Sequence, residues 1–391
     1  MNKNFNIIMF VNAKGLDTSC VGNVHRLPMI RAFAAGLLGR ANILIVTAPN
    51  RSLQLKSRCK VEKMGENLFL FTPRSLLPIS FADCFPPAIG LYRVFLRRQL
   101  CRVFKKLGFS RNIPKVLWVT HPFHYHHLGL VDERLKVYEC YDDFTVFGQR
   151  RPSRRIKKIE QNLADKVDLI LATAQALRNR LIKINKETYY FPNATDFELF
   201  NSVFKGDVSL AEEMKAIPKP IIGFTGNILH HCIDFDLLSG IISSNPDWSF
   251  VFVGQVDGGD KKEYDRLASF ANTFFLGWQE YHILPRYLKS FDVAIMPYQI
   301  NKTMQSVNPN KLYQFMAAGI PVVSTPIPEV KRFEGVVAIA EGCINFGKAI
   351  QSFLEHVDVE QKDSMISIAL ENSWEKRVEM VLGLIEEKLT L

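Results

Sequence analysis

Short runs of β-branched, aromatic and aliphatic residues recur along this chain. Stretches with apolar positions three or four apart separate them. In the first half, the runs at 5–11, 43–47, 68–71, 116–120, 136–138, 169–172 and 188–191 read as strands. Helical periodicity lies between several of them, for example at 24–38 and 156–164. The second half repeats the rhythm, with strands expected at 221–224, 250–253, 273–275, 293–296, 322–324 and 336–339. Its helices are expected at 235–242, 261–270, 281–289, 311–318 and 346–354. Strand–helix alternation predicts parallel, doubly wound sheets. Two such series predict an α/β chain of two Rossmann-like domains facing a cleft. Gly206, Pro218 and Pro220 interrupt the pattern, which places the joint within 201–220 and the domains at 1–200 and 201–372. The remaining segment, 373–391, carries Val378, Val381, Leu382 and Ile385 at helical spacing, so a last helix is expected at 374–389.

Length and composition agree with this division. A chain of 391 residues exceeds one ordinary domain, and 47% hydrophobic with 23% charged residues is globular composition. Charge adds something new. The net +10 divides into +17 for residues 1–200 and −7 for residues 201–391. A basic half suggests an anionic partner: nucleic acid, a membrane surface or a phosphorylated substrate. No nucleic-acid recognition motif accompanies the charge, so no nucleic-acid partner is expected. Seven scattered cysteines, with no C-x-x-C pair, fit a reduced cytoplasmic protein. The apolar run 7–11 leads straight into Asn12 and Lys14, and reads as a first strand rather than a leader. Asp83, Pro78, Pro86 and Pro87 break the apolar stretch 75–92, so any membrane contact is expected to be peripheral.

The most informative segment is 308–323, Asn308-Pro309-Asn310-Lys311-Leu312-Tyr313-Gln314-Phe315-Met316-Ala317-Ala318-Gly319-Ile320-Pro321-Val322-Val323. Asn308 is the expected N-cap and Pro309 a first-turn proline. Gly319 and Pro321 stop the helix before a buried strand. Unpaired N–H groups at a helix N-terminus suit a phosphate, and Lys311 adds a full charge. Gln314 lies three residues on, along the same face, where it could reach a ribose hydroxyl. From the residues alone, an ordinary helix with a solvated lysine fits as well.

This segment resembles the donor-binding helix of GT-B fold glycosyltransferases, in the form P-x-K-L-x-E/Q-x-x-A-x-G-x-P-V-V. Further segments resemble the family in the same order. They are Gly223-Phe224-Thr225-Gly226-Asn227, Asp234-Phe235-Asp236-Leu237-Leu238, Phe275-Leu276-Gly277, Asp292-Val293-Ala294-Ile295-Met296-Pro297-Tyr298 and Asn372-Ser373-Trp374-Glu375. The last resembles the terminal helix that crosses back to the first domain. Bacterial enzymes of teichuronic acid and xanthan assembly are similar in pattern. The resemblance implies a nucleotide-sugar donor, a UDP-sugar above all, with no metal or other cofactor. It implies donor contacts at Gly226, Asn227, Asp234, Tyr298, Asn308, Lys311, Leu312 and Gln314, with 277–281 bordering the base. Many retaining members of family 4 carry two glutamates eight positions apart. The matching residues here are Ser306 and Gln314. Inversion and retention therefore both stay open.

An inverting transfer needs a general base near the acceptor hydroxyl. Asp142 and Asp143 follow a predicted strand, where doubly wound sheets place their sites. Neighbouring carboxylates also raise each other's affinity for a proton. Asp142 is the candidate base and Asp143 the second. Four imidazoles stand within 121–127, without a cysteine or H-E-x-x-H pattern. They are read as cleft lining rather than metal ligands, with His121 resembling the family's histidine beside the donor sugar and His124 on the acceptor side, while for His126 and His127 a partly exposed histidine loop is the alternative. The turn after the first strand, with Gly15 and His25, resembles the family's acceptor loop. It is not a G-x-G-x-x-G fingerprint.

Two segments supply much of the basic charge. Residues 92–107 read as a helix with Tyr92, Leu96, Leu100, Val103 and Leu107 on one side and Arg93, Arg97, Arg98, Arg102, Lys105 and Lys106 elsewhere. Arg150, Arg151, Arg154, Arg155, Lys157 and Lys158 form the second cluster. An interfacial anchor at the inner face of the membrane and a core-packing helix fit the first equally. The function expected is transfer of a sugar to a saccharide acceptor, polyprenyl-linked in one form, in surface polysaccharide synthesis. A sugar-nucleotide 2-epimerase of the same fold is the alternative.

Overall fold

The computed structural model describes residues 5–11, 27–47, 60–74, 85–110, 112–146, 153–256, 261–356 and 358–390. The chain divides into two compact units, residues 1–192 with 377–391, and residues 193–376. The boundary therefore precedes the expected joint at 201–220. Helix Phe197–Lys205 belongs to the second unit, because its buried Asn201 donates from Nδ2 to Ala317 O at 3.0 Å and Phe200 packs edge-on against Tyr281. Gly206, Pro218 and Pro220 marked a break in the sequence pattern, whereas the chain changes unit at Asn193.

The first unit holds an eight-stranded sheet. Its strands are β1 (Phe5–Val11), β2 (Ala41–Thr47), β3 (Lys60–Lys63), β4 (Leu68–Thr72), β5 (Lys115–Val119), β6 (Leu135–Cys140), β7 (Leu169–Ala172) and β8 (Thr188–Tyr190), in the order β3-β4-β2-β1-β5-β6-β7-β8. Every pairing is parallel except β3 with β4. Every residue of β1, β2 and β5 is buried. Near-continuous apolar runs, broken here only by Asn6, Asn42, Thr47 and Lys115, are what a parallel strand covered on both faces requires. Strand β3 escaped the sequence reading because Lys-Val-Glu-Lys is polar, as an edge strand can be.

The second unit holds a six-stranded parallel sheet: β9 (Ile221–Thr225), β10 (Ser249–Val253), β11 (Thr273–Phe275), β12 (Val293–Met296), β13 (Val322–Ser324) and β14 (Ala338–Ile339), in the order β11-β10-β9-β12-β13-β14. In each sheet the winding direction reverses at the centre, between β1 and β5 and between β9 and β12. Open α/β sheets bind ligands beyond the C-terminal ends of the strands at this reversal.

Helix Pro86–Leu107 begins six residues before the expected Tyr92, with its prolines in the first turn. Ala88, Tyr92, Leu96, Gln99, Leu100 and Val103 are its buried positions, so the apolar stripe read from sequence packs into the core of its own unit. Helix Trp374–Thr390 starts in the second unit, and from Arg377 onward it belongs to the first. Val378, Val381, Leu382 and Ile385 are all buried there. No described helix is long and apolar enough to cross a membrane.

Candidate active site

In the second unit, the chain leaves β9 through Gly226, whose φ of 106° lies in the region that favours glycine. Its N–H donates to Val253 O at 2.8 Å. A Cβ added at Gly226 would stand 3.0 Å from Lys311 Nζ, and one at Gly254 would stand 2.0 Å from Gly226 O. The two glycines let the ends of β9 and β10 and the Lys311 side chain come together.

Lys311 lies in the first turn of helix Asn310–Ala317. Its Nζ stands 3.9 Å from the Phe224 ring centroid and 5.3 Å from the Tyr298 centroid. Aromatic faces attract a cation, but more weakly than a carboxylate does. No carboxylate pairs with Lys311 among the described residues. Burial pushes its pKa down to about 7, which the Cys232 thiol nearby only partly opposes. The result is a lysine held at the topological reversal, beside a glycine turn, with its charge incompletely compensated. A diphosphate would supply the missing partner.

The other expected donor contacts are placed differently. Asn308 is not the N-cap: that position is Pro309, and the helix starts at Asn310. Asn308 is 3% exposed, and its Nδ2 donates to Glu329 Oε2 at 3.0 Å. It acts as a buried brace for the loop, whose carbonyl also accepts from Asn193. Leu312 is fully buried, and its N–H is already given to Pro309 O at 3.2 Å. Gln314 is 8% exposed, with its side chain beside the buried Tyr281 hydroxyl and Thr195. Gln314 and Tyr281 thus join the lysine helix to the segment that follows β11. Asp234 caps helix Phe235–Ser244, accepting from Leu237 N–H at 2.9 Å. Asn227 is exposed at the glycine turn. Tyr298 is 6% exposed, and burial pushes its hydroxyl far up, so its ring beneath Lys311 is what the site uses.

In the first unit, β5 runs into the 3₁₀ turn Pro122–His127. His121 caps that turn, its Nδ1 accepting from Phe123 N–H at 3.2 Å. Burial lowers its pKa to about 4, so the imidazole is neutral at physiological pH. His124 is 7% exposed and accepts from Thr120 N–H at 3.2 Å. His127 Nε2 lies 2.9 Å from Tyr92 Oη, and its ring stacks 4.1 Å from that of Phe10. Burial holds both histidines uncharged. His124 therefore belongs to an aromatic layer rather than to an open acceptor surface. Among the described residues, no group of three or more His, Cys, Asp or Glu side chains is placed to hold a metal ion.

Asp142 and Asp143 follow β6, as expected, but their environments differ. Asp143 Oδ1 accepts from the Thr145 N–H at 3.0 Å and from its hydroxyl at 2.6 Å. It also stands 3.9 Å from Arg180 Nη2. A guanidinium, not only its carboxylate neighbour, thus faces it. Arg180 in turn pairs with Glu160, which is fully buried and accepts from Tyr138 Oη at 2.9 Å. Asp142 is partly exposed on the same turn. Gly15 and His25, with Arg150 and Arg151, lie outside the described residues. Sequence reading missed Cys232, Glu160 and Arg180. Each is defined by what it touches across strands, and no local spacing marks it.

Residues 219–356 match the family model described as glycosyl transferases group 1. A Bacillus subtilis (strain 168) protein named for glycosyl transfer in teichuronic acid biosynthesis, TuaH, is 27% identical over 300 residues, covering 72% of this chain and 75% of that one. Among solved structures, Anabaena HepE in complex with UDP and glucose superposes with a TM-score of 0.67 at 12% identity, covering 97% of this chain and 99% of that chain. The UDP-forming α,α-trehalose-phosphate synthase of Burkholderia vietnamiensis gives a TM-score of 0.66 at 11% identity, with both chains fully covered. At these identities the structural likeness establishes the fold, two Rossmann-like units of the GT-B type.

Proposed function

We infer that this chain, a glycosyltransferase with the GT-B fold, moves a sugar from a UDP-sugar to a saccharide acceptor in the assembly of a bacterial surface polysaccharide. The observation that carries the donor half is Lys311, held over Phe224 and Tyr298 beside Gly226 at the reversal of the second sheet. UDP in the HepE complexes and teichuronic acid in the name of TuaH support the choice of nucleotide and pathway class.

The reaction breaks the bond between the anomeric carbon and the diphosphate oxygen, and forms one to an acceptor hydroxyl. The departing diphosphate gains negative charge, and a pre-placed cation stabilises it without reorganisation. Lys311 fills that role in its protonated form. The first turn of helix Asn310–Ala317 adds its dipole, although the Leu312 N–H is already engaged. The acceptor hydroxyl loses a proton. Asp142 is the base we assign to it if the transfer inverts, with Asp143 fixed as its support by Thr145 and Arg180. His121 remains a candidate for the donor-sugar side, offered as a neutral imidazole. A saccharide carried on a polyprenyl diphosphate suits the basic first half.

The test is nucleotide release. Purified protein is given a panel of UDP-sugars with and without polyprenyl-diphosphate saccharides. Acceptor-dependent release of UDP supports the reading. Turnover of the donor alone into an isomeric sugar nucleotide would instead make the chain a 2-epimerase.

A further inference from the structure

Helix Pro86–Leu107 packs one stripe into its own unit and leaves another uncovered. Leu91, Val94, Arg98, Arg102 and Lys105 follow one another at three- and four-residue steps, and all are exposed. They form one straight line, about 21 Å long at ~1.5 Å per residue. Leu91 is 74% exposed, Val94 51%, Phe95 43% and Phe85, which caps the helix, 59%. Large apolar side chains are normally exposed singly. Here four fall within eleven residues. They are not the residues whose periodicity first marked this helix, since Tyr92, Leu96, Leu100 and Val103 are buried.

The stripe is divided along its length. Its N-terminal half is apolar and its C-terminal half cationic. The helix contains no Asp or Glu. Two of its cations are committed within the unit: Arg93 to the carbonyls of His126 and Leu128, and Arg97 to Asp132 at 3.0 Å. Arg98, Arg102, Lys105 and Lys106 have no carboxylate partner among the described residues.

We propose that this outward stripe is a membrane-docking face, lying in the plane of an anionic bilayer with Phe85, Leu91, Val94 and Phe95 among the acyl chains and Arg98, Arg102, Lys105 and Lys106 on lipid phosphates. An interfacial helix needs an apolar strip flanked by cations, and a bilayer supplies carbon and phosphate together over that distance. The charge complementarity favours lipid over a second copy of the chain, because two such faces would bring eight unpaired cations together. The face deepens the reading of a lipid-linked acceptor. It is independent of the donor site, so either can fail while the other stands.

The experiment is co-sedimentation of the full chain with vesicles of phosphatidylcholine containing phosphatidylglycerol, and with vesicles of phosphatidylcholine alone. The anionic vesicles should capture the protein and the neutral ones should not. The combined variant Leu91→Ser, Val94→Ser, Phe95→Ser should lose capture at least tenfold. The combined variant Arg98→Ala, Arg102→Ala, Lys105→Ala should lose on the order of 100-fold, at about fivefold per cation. All six side chains point outward, so both variants should keep the wild-type Tm and UDP-sugar binding. Absence of capture, capture on both vesicle types alike, or undiminished capture of either variant would overturn the proposal. So would a solution dimer that the serine variant disperses while vesicles capture nothing.

Discussion

The Nζ of Lys311 stands 3.9 Å from the centroid of Phe224, a residue of β9. An amine in that position has an aromatic face where most buried lysines would have a carboxylate. Burial therefore dominates its titration and brings the pKa to about 7. Among the described residues, no carboxylate neutralises the amine in place of an incoming anion.

This gives donor binding a pH dependence. A lowered lysine pKa means that the free site carries its charge below about pH 7 and loses it above. A UDP-sugar diphosphate is ionised throughout this range and selects the charged form. Affinity should be level below pH 7 and fall by up to tenfold per unit above it. Calorimetry in buffers of different ionisation enthalpy should show uptake of close to one proton per donor bound near pH 8. Lys311→Arg, charged at every such pH, should abolish that uptake.

Gly226 gives a second prediction. Its φ of 106° is strained for any other residue, and a Cβ there would press on Lys311 Nζ at 3.0 Å. Gly226→Ala should lower stability by about 1–3 kcal/mol. It should also weaken UDP-sugar binding at temperatures where the fold remains intact, as read by urea denaturation and by titration. Unchanged affinity would show that the lysine has room to give way.

The two aspartates after β6 should separate. Asp143 holds its turn through Thr145 and faces Arg180. Asp143→Ala should cost about 1–2 kcal/mol of stability through its lost hydrogen bonds. Asp142→Asn should leave Tm near wild type and lower kcat by about 10²–10⁴-fold if Asp142 is the base. Near-normal turnover of Asp142→Asn would remove it from that role.

The sequence carried the strands well where burial is complete. Phe5–Val11, Leu169–Ala172 and Val322–Ser324 are fully buried and apolar but for Asn6 and Ser324, and could be read directly. Helix Pro86–Leu107 shows the limit. Its periodicity was legible, but not that Leu91, Val94 and Phe95 face outward, because apolar residues occur on both sides. The pattern around Lys311 and Gly226 marked both as expected donor contacts, and the structure sets them side by side, with a Cβ at Gly226 3.0 Å from Lys311 Nζ. The roles of Asn308, Asp234 and Gln314 were not legible, because each is set by a partner distant in sequence or by the exact start of a helix: Glu329, the cap of Phe235–Ser244 and Tyr281. Polar residues near a glycine turn look alike as ligands and as braces until their hydrogen bonds are known.

The most direct test of the donor site is a thermal-shift panel of UDP-, GDP-, ADP- and dTDP-sugars on the wild type and on Lys311→Ala. The predicted result is stabilisation of the wild type by UDP-sugars above the others, with the shift largely lost in Lys311→Ala. No shift with any nucleotide sugar, or an equal shift in the variant, would contradict a diphosphate seated on Lys311.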